Sequence, residues 1–211
     1  MTEHTSVQPR DPKDDHLLTP ENSALVLIDY QPEQFQAVTS ATREEILLNV
    51  VALSRAAKAY DLPVVLSTVG VEMGANQGTV SEILEELPGS EEIDRTTLNS
   101  WEDPEFLQAV EATGRKKLIM GGLWTEVCLA FPTLDALKEG YEIYPVSDAV
   151  GGVSADSHER AMQRMIQAGA QPVTALGVVA ELQRDWGREN ADNLRQILRW
   201  YFSERRTMAS K

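Results

Sequence analysis

Short runs of branched apolar residues recur along the chain, and each is followed by a stretch with helical spacing. "ALVLIDY" at 24–30, "LPVVLSTV" at 62–69 and "KKLIMGG" at 116–122 are the clearest. Such runs are too short for buried helices and lack polar alternation, so they read as strands buried on both faces. "EEIDR" (91–95), "YEIYPVSD" (141–148) and "QPVTAL" (171–176) bring the expected strands to six. Between them lie expected helices at 42–60, 78–87, 103–114, 125–140 and 154–170, and a polar, mostly helical remainder follows Gly177. Thr42 with Glu45 forms a capping-box pattern, Asp103-Pro104 a helix start, Ser154 a cap, and Gly114 and Gly140 helix stops. The alternation predicts an α/β fold: a six-stranded, mostly parallel sheet between two helical layers, doubly wound in the Rossmann manner.

The length of 211 residues suits one sizeable domain. Residues 1–18 are polar and charged and read as a loose arm, disordered or docked on a neighbouring subunit. Residues 19–190 form the expected domain, and 191–211 a helical extension. In that extension Leu194, Ile197, Leu198, Tyr201 and Phe202 share one helical face and need a surface to cover them, in the same chain or another. A net charge of −14 repels phosphate backbones, which argues against nucleic acid as a partner. No apolar run approaches the ~20 residues that span a bilayer. The single cysteine and the lack of an apolar leader fit a reducing cytosol.

In doubly wound sheets, ligands bind beyond the carboxyl ends of the strands. Three residues stand at such ends. Asp29 follows "ALVLI", Arg95 follows "EEID", and Cys128 follows "GGLWTEV" near an expected helix start. Singly, each has an ordinary reading: a turn-capping acid, a surface arginine, a small buried hydrophobe. Together they supply a nucleophile, a base and a fixed cation, the set that covalent catalysis needs. The positive end of a helix at Thr125 would favour the thiolate. Backbone N–H groups of Trp124 and Cys128 would bind an oxyanion, and Asn99, Trp101 and Trp124 would shape a pocket for a small substrate. Pro132 lacks the N–H that would bond the Cys128 carbonyl, so it either loosens that turn or sits in the first turn of a later helix.

"ALVLIDYQPEQF", "RTTLNSW", "KKLIMGGLWTEVCLAFPTLDALKEGYEIYPVSDAVGG" and "RMIQAGAQPVTALGVVAELQRDW" resemble the isochorismatase-like cysteine hydrolases, most nearly the YcaC-like branch. The resemblance spans roughly residues 17–190. It implies an acid–lysine–cysteine triad, with Asp29 as acid and Cys128 as nucleophile, and a non-proline cis peptide at Leu123–Trp124. The lysine position holds Arg95, followed by Asn99, Ser100 and Trp101. Arginine supplies charge but cannot release a proton. Zinc-dependent relatives carry Asp-x-His after the second strand; "STVGVEMGANQG" has no histidine, and His4, His16 and His158 lack ligand spacing, so no metal or other cofactor is expected. His158 reads as a surface or interface residue. The implied reaction is hydrolysis of an amide-like C–N bond through a thioester. The alternatives are vinyl-ether hydrolysis, which does not need the cysteine, and a thiol-based sensing or binding role. The family habit implies a homo-oligomer, a dimer or larger, by analogy up to an octamer.

Overall fold

Along the first strand, Ala24, Val26 and Ile28 face one apolar layer and Leu25 and Leu27 face another. That alternation is the period of two of a pleated strand covered on both sides. It is seen in the computed structural model, which describes residues 11–210. The strands are β1 (Ser23–Ile28), β2 (Val64–Val69), β3 (Glu92–Arg95), β4 (Lys117–Gly122) and β5 (Glu142–Pro145). All pairings are parallel, in the order β3-β2-β1-β4-β5. The helices are α1 (Pro32–Ala37), α2 (Arg43–Ala59), α3 (Ser81–Leu84), α4 (Pro104–Ala112), α5 (Ala130–Lys138), α6 (Ala155–Ala168), α7 (Ala175–Gln183) and α8 (Ala191–Ala209). One layer packs α2, α7 and α8 on Leu25, Leu27, Leu66 and Ile119; the other packs α4, α5 and α6 on Val26, Ile28, Leu118 and Met120.

The expected caps form. Thr42 Oγ1 accepts from the Glu45 N–H, and Glu45 Oε2 accepts from the Thr42 N–H, each at 3.2 Å. Asp103 Oδ1 accepts from the Glu105 and Phe106 N–H groups, and Ser154 Oγ from that of Ser157.

The sheet has five strands rather than six. The 171–176 segment runs beside β5, but only Val146 and Val173 form a bridge. The Gln171 N–H donates to Ile143 O and the Val173 N–H to Pro145 O. The return bond to the Gln171 carbonyl would have to come from the nitrogen of residue 145, which is a proline and has no hydrogen. The ladder stops there, and α7 begins at Ala175.

The described part of the expected arm docks on the body of its own chain. His4 and residues 1–10 lie outside the described residues, but Asp15 and Leu18 are buried against the body. Lys117 Nζ, at the start of β4, donates to the carbonyls of Asp15 (2.7 Å), His16 (2.8 Å) and Leu17 (3.3 Å). Arg184 pairs with Asp15 and donates to the Leu18 carbonyl. Most of the apolar face of α8 is covered by the same chain: Leu194 and Ile197 join the core, Leu198 packs against it, and the Tyr201 hydroxyl donates to Asn49 Oδ1 at 2.8 Å, while Phe202 stays exposed. Among the described residues, no helix is long and apolar enough to cross a membrane.

Candidate active site

Asp29 leaves β1 at φ 60°, in the left-handed region that a short polar residue tolerates best after glycine. Its N–H still donates to Ser67 O on β2 (2.9 Å), so the sharp exit is held by the sheet itself. The turn aims the carboxylate across the strand ends instead of into solvent; Asp29 is fully buried. Arg95, the last residue of β3, reaches it across β2. Its Nη2 donates to Asp29 Oδ2 at 2.5 Å, and both side chains are wholly buried. Nη1 donates to Thr97 O, which bends the guanidinium back over its own strand exit.

Cys128 approaches from β4. The chain turns at a cis Leu123–Trp124 bond, where the resemblance puts one. It continues as a π-helical turn, Thr125–Leu129, and becomes α-helical at Ala130. Pro132 therefore sits in the first turn of α5, and the wider turn before it carries the cysteine.

The thiol is buried and lies against the Asp29 carboxylate. The two groups act on each other as neighbours, yet Asp29 Oδ1 has no hydrogen-bond partner of ordinary geometry among the described residues. Arg95 Nε is unpartnered on the same terms. Burial raises the Asp29 pKa to about 6, opposed by the Arg95 charge and the thiol. Burial, and next the Asp29 charge, push the Cys128 thiol well above its ordinary range, against the pull of Arg95 and of the Trp124 N–H directed at the sulfur. The expected helix-start activation is thus outweighed, because desolvating a thiolate costs more than a short turn's dipole returns. At rest the site holds a thiol beside a carboxylate.

The structure brings Asp29, Arg95, Cys128 and the Leu123–Trp124 turn together. Of the expected pocket side chains, Trp101 shares the apolar layer of Cys128, the Trp124 ring turns to the other layer, and Asn99 faces a surface groove. Trp101 is buried in an aromatic cluster, edge-on to Phe106 (6.2 Å) and Tyr141 (5.3 Å). The Trp124 ring packs on the layer opposite Cys128, and its Nε1 donates to Gln34 O on α1. Asn99 caps the turn at Ser100–Glu102 and donates to Asp135 Oδ2 (2.8 Å); it borders a surface groove of about 600 Å³ with Leu98 and Phe131. Among the described residues, no group of three or more His, Cys, Asp or Glu side chains is placed to hold a metal ion.

Two contributors are not apparent in a strand-and-helix reading. Gln31, fully buried, accepts from the Val69 N–H and donates to the Val69 and Gln77 carbonyls, fastening the loop after β2 to the exit of β1. Its nearness to Asp29 in "DYQP" was the available signal. His158, read as a surface or interface residue, is half-buried within the chain, and its Nδ1 lies 3.0 Å from Thr125 Oγ1.

Residues 23–176 match the isochorismatase domain family. The chain belongs to the isochorismatase family. Among isochorismatase-family relatives, the probable hydrolase YcaC of Escherichia coli K12 is 39% identical over 166 residues, 78% of this chain and 79% of that one. The octameric E. coli YcaC hydrolase of unknown specificity superposes with a TM-score of 0.84 at 35% identity, over 97% of this chain and 98% of that one. YcaC from Pseudomonas aeruginosa, solved with hexane-2,5-diol and covalent acrylamide, gives 0.83 at 35% identity, over 92% and 98%. The protein is an isochorismatase-family hydrolase.

Proposed function

We propose that this hydrolase cleaves an amide-like C–N bond of a small molecule through a thioester on Cys128. The observation that carries the reading is a buried thiol beside a buried carboxylate that can take its proton, with a permanent cation paired to that carboxylate. Covalent acrylamide in the P. aeruginosa relative is an amide-bearing electrophile, and the nucleophile this chain offers at the strand ends is Cys128.

The thiol's high pKa makes a free thiolate scarce, so proton removal accompanies attack. Asp29 takes the thiol proton as sulfur bonds to the carbonyl carbon, and the carbonyl electrons move onto oxygen. N–H groups of Trp124 and Cys128 receive that oxyanion. The carbonyl re-forms, the C–N bond breaks, and the Asp29 proton goes to the leaving nitrogen. Water then attacks the thioester, giving a proton to Asp29. The acid is released, and the proton returns to sulfur. Arg95 stays charged throughout: it keeps Asp29 ionised in spite of burial and cannot act as the shuttle.

A sensing role needs an accessible, acidic thiol. Cys128 is buried and its thiol is pushed up, which favours the hydrolase reading. We further propose a homo-oligomer, on the octameric E. coli relative and the exposed Leu98, Ile166 and Phe202; light scattering after gel filtration tests it.

The deciding experiment incubates wild type and Cys128→Ala with a panel of small amides. Intact mass spectrometry should show an acyl adduct on wild type alone, released by hydroxylamine. Full turnover by Cys128→Ala on any panel amide sinks the scheme.

A further inference from the structure

We propose that His158 is a positioning residue for the cysteine turn, acting through the Thr125 hydroxyl; this rests on the reading of Cys128 as the nucleophile. Thr125 is fully buried at the start of the π-helical turn, one residue after the N–H aimed at sulfur and three before the sulfur itself. Both of its outward polar handles are taken by the segment from β5 to α6. Its N–H donates to Gly151 O at 3.0 Å, and its Oγ1 meets His158 Nδ1 at 3.0 Å.

The histidine is itself anchored. Its N–H donates to the carbonyl of the helix cap Ser154 at 3.0 Å. Gly152 leaves no slack beside it, since a Cβ there would stand 2.6 Å from Glu126 Oε2 and 3.0 Å from the His158 nitrogen. Glu126 closes the same junction, its Oε1 accepting from the Val153 N–H. The charged groups that face the ring are Glu126 on the turn and Glu159 on its own helix; burial outweighs both and lowers the ring's pKa. In the tautomer that the proposal takes, the neutral ring carries its proton on Nε2 and accepts the Thr125 hydroxyl proton at Nδ1.

π-helical turns are rare and occur mostly as single-turn bulges at functional sites, so a contact that fixes one from outside bears directly on the side chains it carries. His158 provides that contact from α6. With it, the sulfur stays in its desolvated seat against Asp29; without it, the turn relaxes toward solvent and the thiol returns toward ordinary acidity.

The test needs no substrate. Iodoacetamide alkylation of the full-length protein at about pH 9 reads the thiolate fraction, which rises about tenfold per pH unit that the thiol pKa falls. His158→Ala and Thr125→Val should each alkylate about tenfold faster than wild type, and the double variant no faster than either. His158→Asn, which keeps an acceptor at the Nδ1 position, and Thr125→Ser should stay within about twofold. Tyr201→Phe on α8, remote from the turn, is the control for general destabilisation. The inference is overturned if the folded His158→Ala and Thr125→Val proteins keep the wild-type rate, if their effects multiply, or if Tyr201→Phe accelerates alkylation equally for an equal loss of stability. Should His158→Ala not fold, the Thr125 pair decides by the same criterion. Failure of the amide panel to acylate wild type counts against the hydrolase reading alone, and an unmoved alkylation rate against this inference alone.

Discussion

Arg95 and Asp29 share a single short contact, Nη2 to Oδ2 at 2.5 Å, with no part of either side chain open to solvent. Breaking such a pair leaves an uncompensated buried charge, at a cost of about 3–5 kcal/mol. Arg95→Met should therefore lower unfolding free energy by that order in urea titrations. Arg95→Lys keeps the charge but gives up the bond to Thr97 O, and should cost about 1 kcal/mol. If the methionine variant is as stable as wild type, the pair is not holding Asp29 in place.

The pH dependence has a definite sign. Asp29 titrates near 6 in the fold against 3.8 as the reference value, so the folded state binds its proton more tightly. The stability this contributes is complete below the reference value and is lost as pH rises through the folded one, at on the order of 1 kcal/mol per pH unit between them. Asp29→Asn should remove that slope from a pH series of denaturation curves. Activity runs the other way: kcat/KM on an accepted amide should rise through pH about 6 as the base ionises. Arg95 adds no alkaline limb, because it keeps its proton.

Asp29→Asn should also make Cys128 more acidic while abolishing turnover. The Asp29 charge pushes the thiol up, second only to burial, so its removal lowers the thiol pKa. Alkylation of the variant should reach half its maximal rate at a lower pH than in wild type. A shift to higher pH would mean that the carboxylate activates the resting thiol and that the coupled proton transfer is wrong.

Gly121 and Tyr30 interlock below the site. A Cβ on Gly121 would stand 2.2 Å from the Tyr30 hydroxyl, which donates to Ala149 O at 2.7 Å. Gly121→Ala should destabilise by about 1–3 kcal/mol, through overpacking and the displaced hydroxyl. Tyr30→Phe in that background should recover part of the loss; thermal melts of the two variants and the pair decide it.

Much of this was legible in the residues themselves. Branched apolar runs located β1, β2 and β4, and the alternation with helices placed β3 and β5 between them; Thr42–Glu45 and Asp103-Pro104 marked helix starts, and three strand ends pointed to Asp29, Arg95 and Cys128. The misses share a cause: they depend on what comes to lie next to what. Pro145 ends the sixth strand only because Gln171 falls opposite it. Cys128 has a helix start in its sequence context, but its acidity is set by burial that no local pattern encodes. The burial of Trp101 against Phe106 and Tyr141 was likewise not visible in "RTTLNSW". His158 reads as one more polar residue on an amphipathic helix until α6 is laid beside the cysteine turn.

Lys117 has a practical bearing on how this protein is handled. Its ammonium, buried at the head of the strand that leads to Cys128, donates to carbonyls from residues 15–17 and has the Glu142 carboxylate at 3.8 Å. Those carbonyls are backbone groups, so point changes in that stretch leave them in place, whereas shortening the chain through it removes them all. A trimmed expression variant that starts after Leu18 would leave that ammonium, at the foot of the central sheet, with Glu142 at 3.8 Å and none of its three carbonyl acceptors.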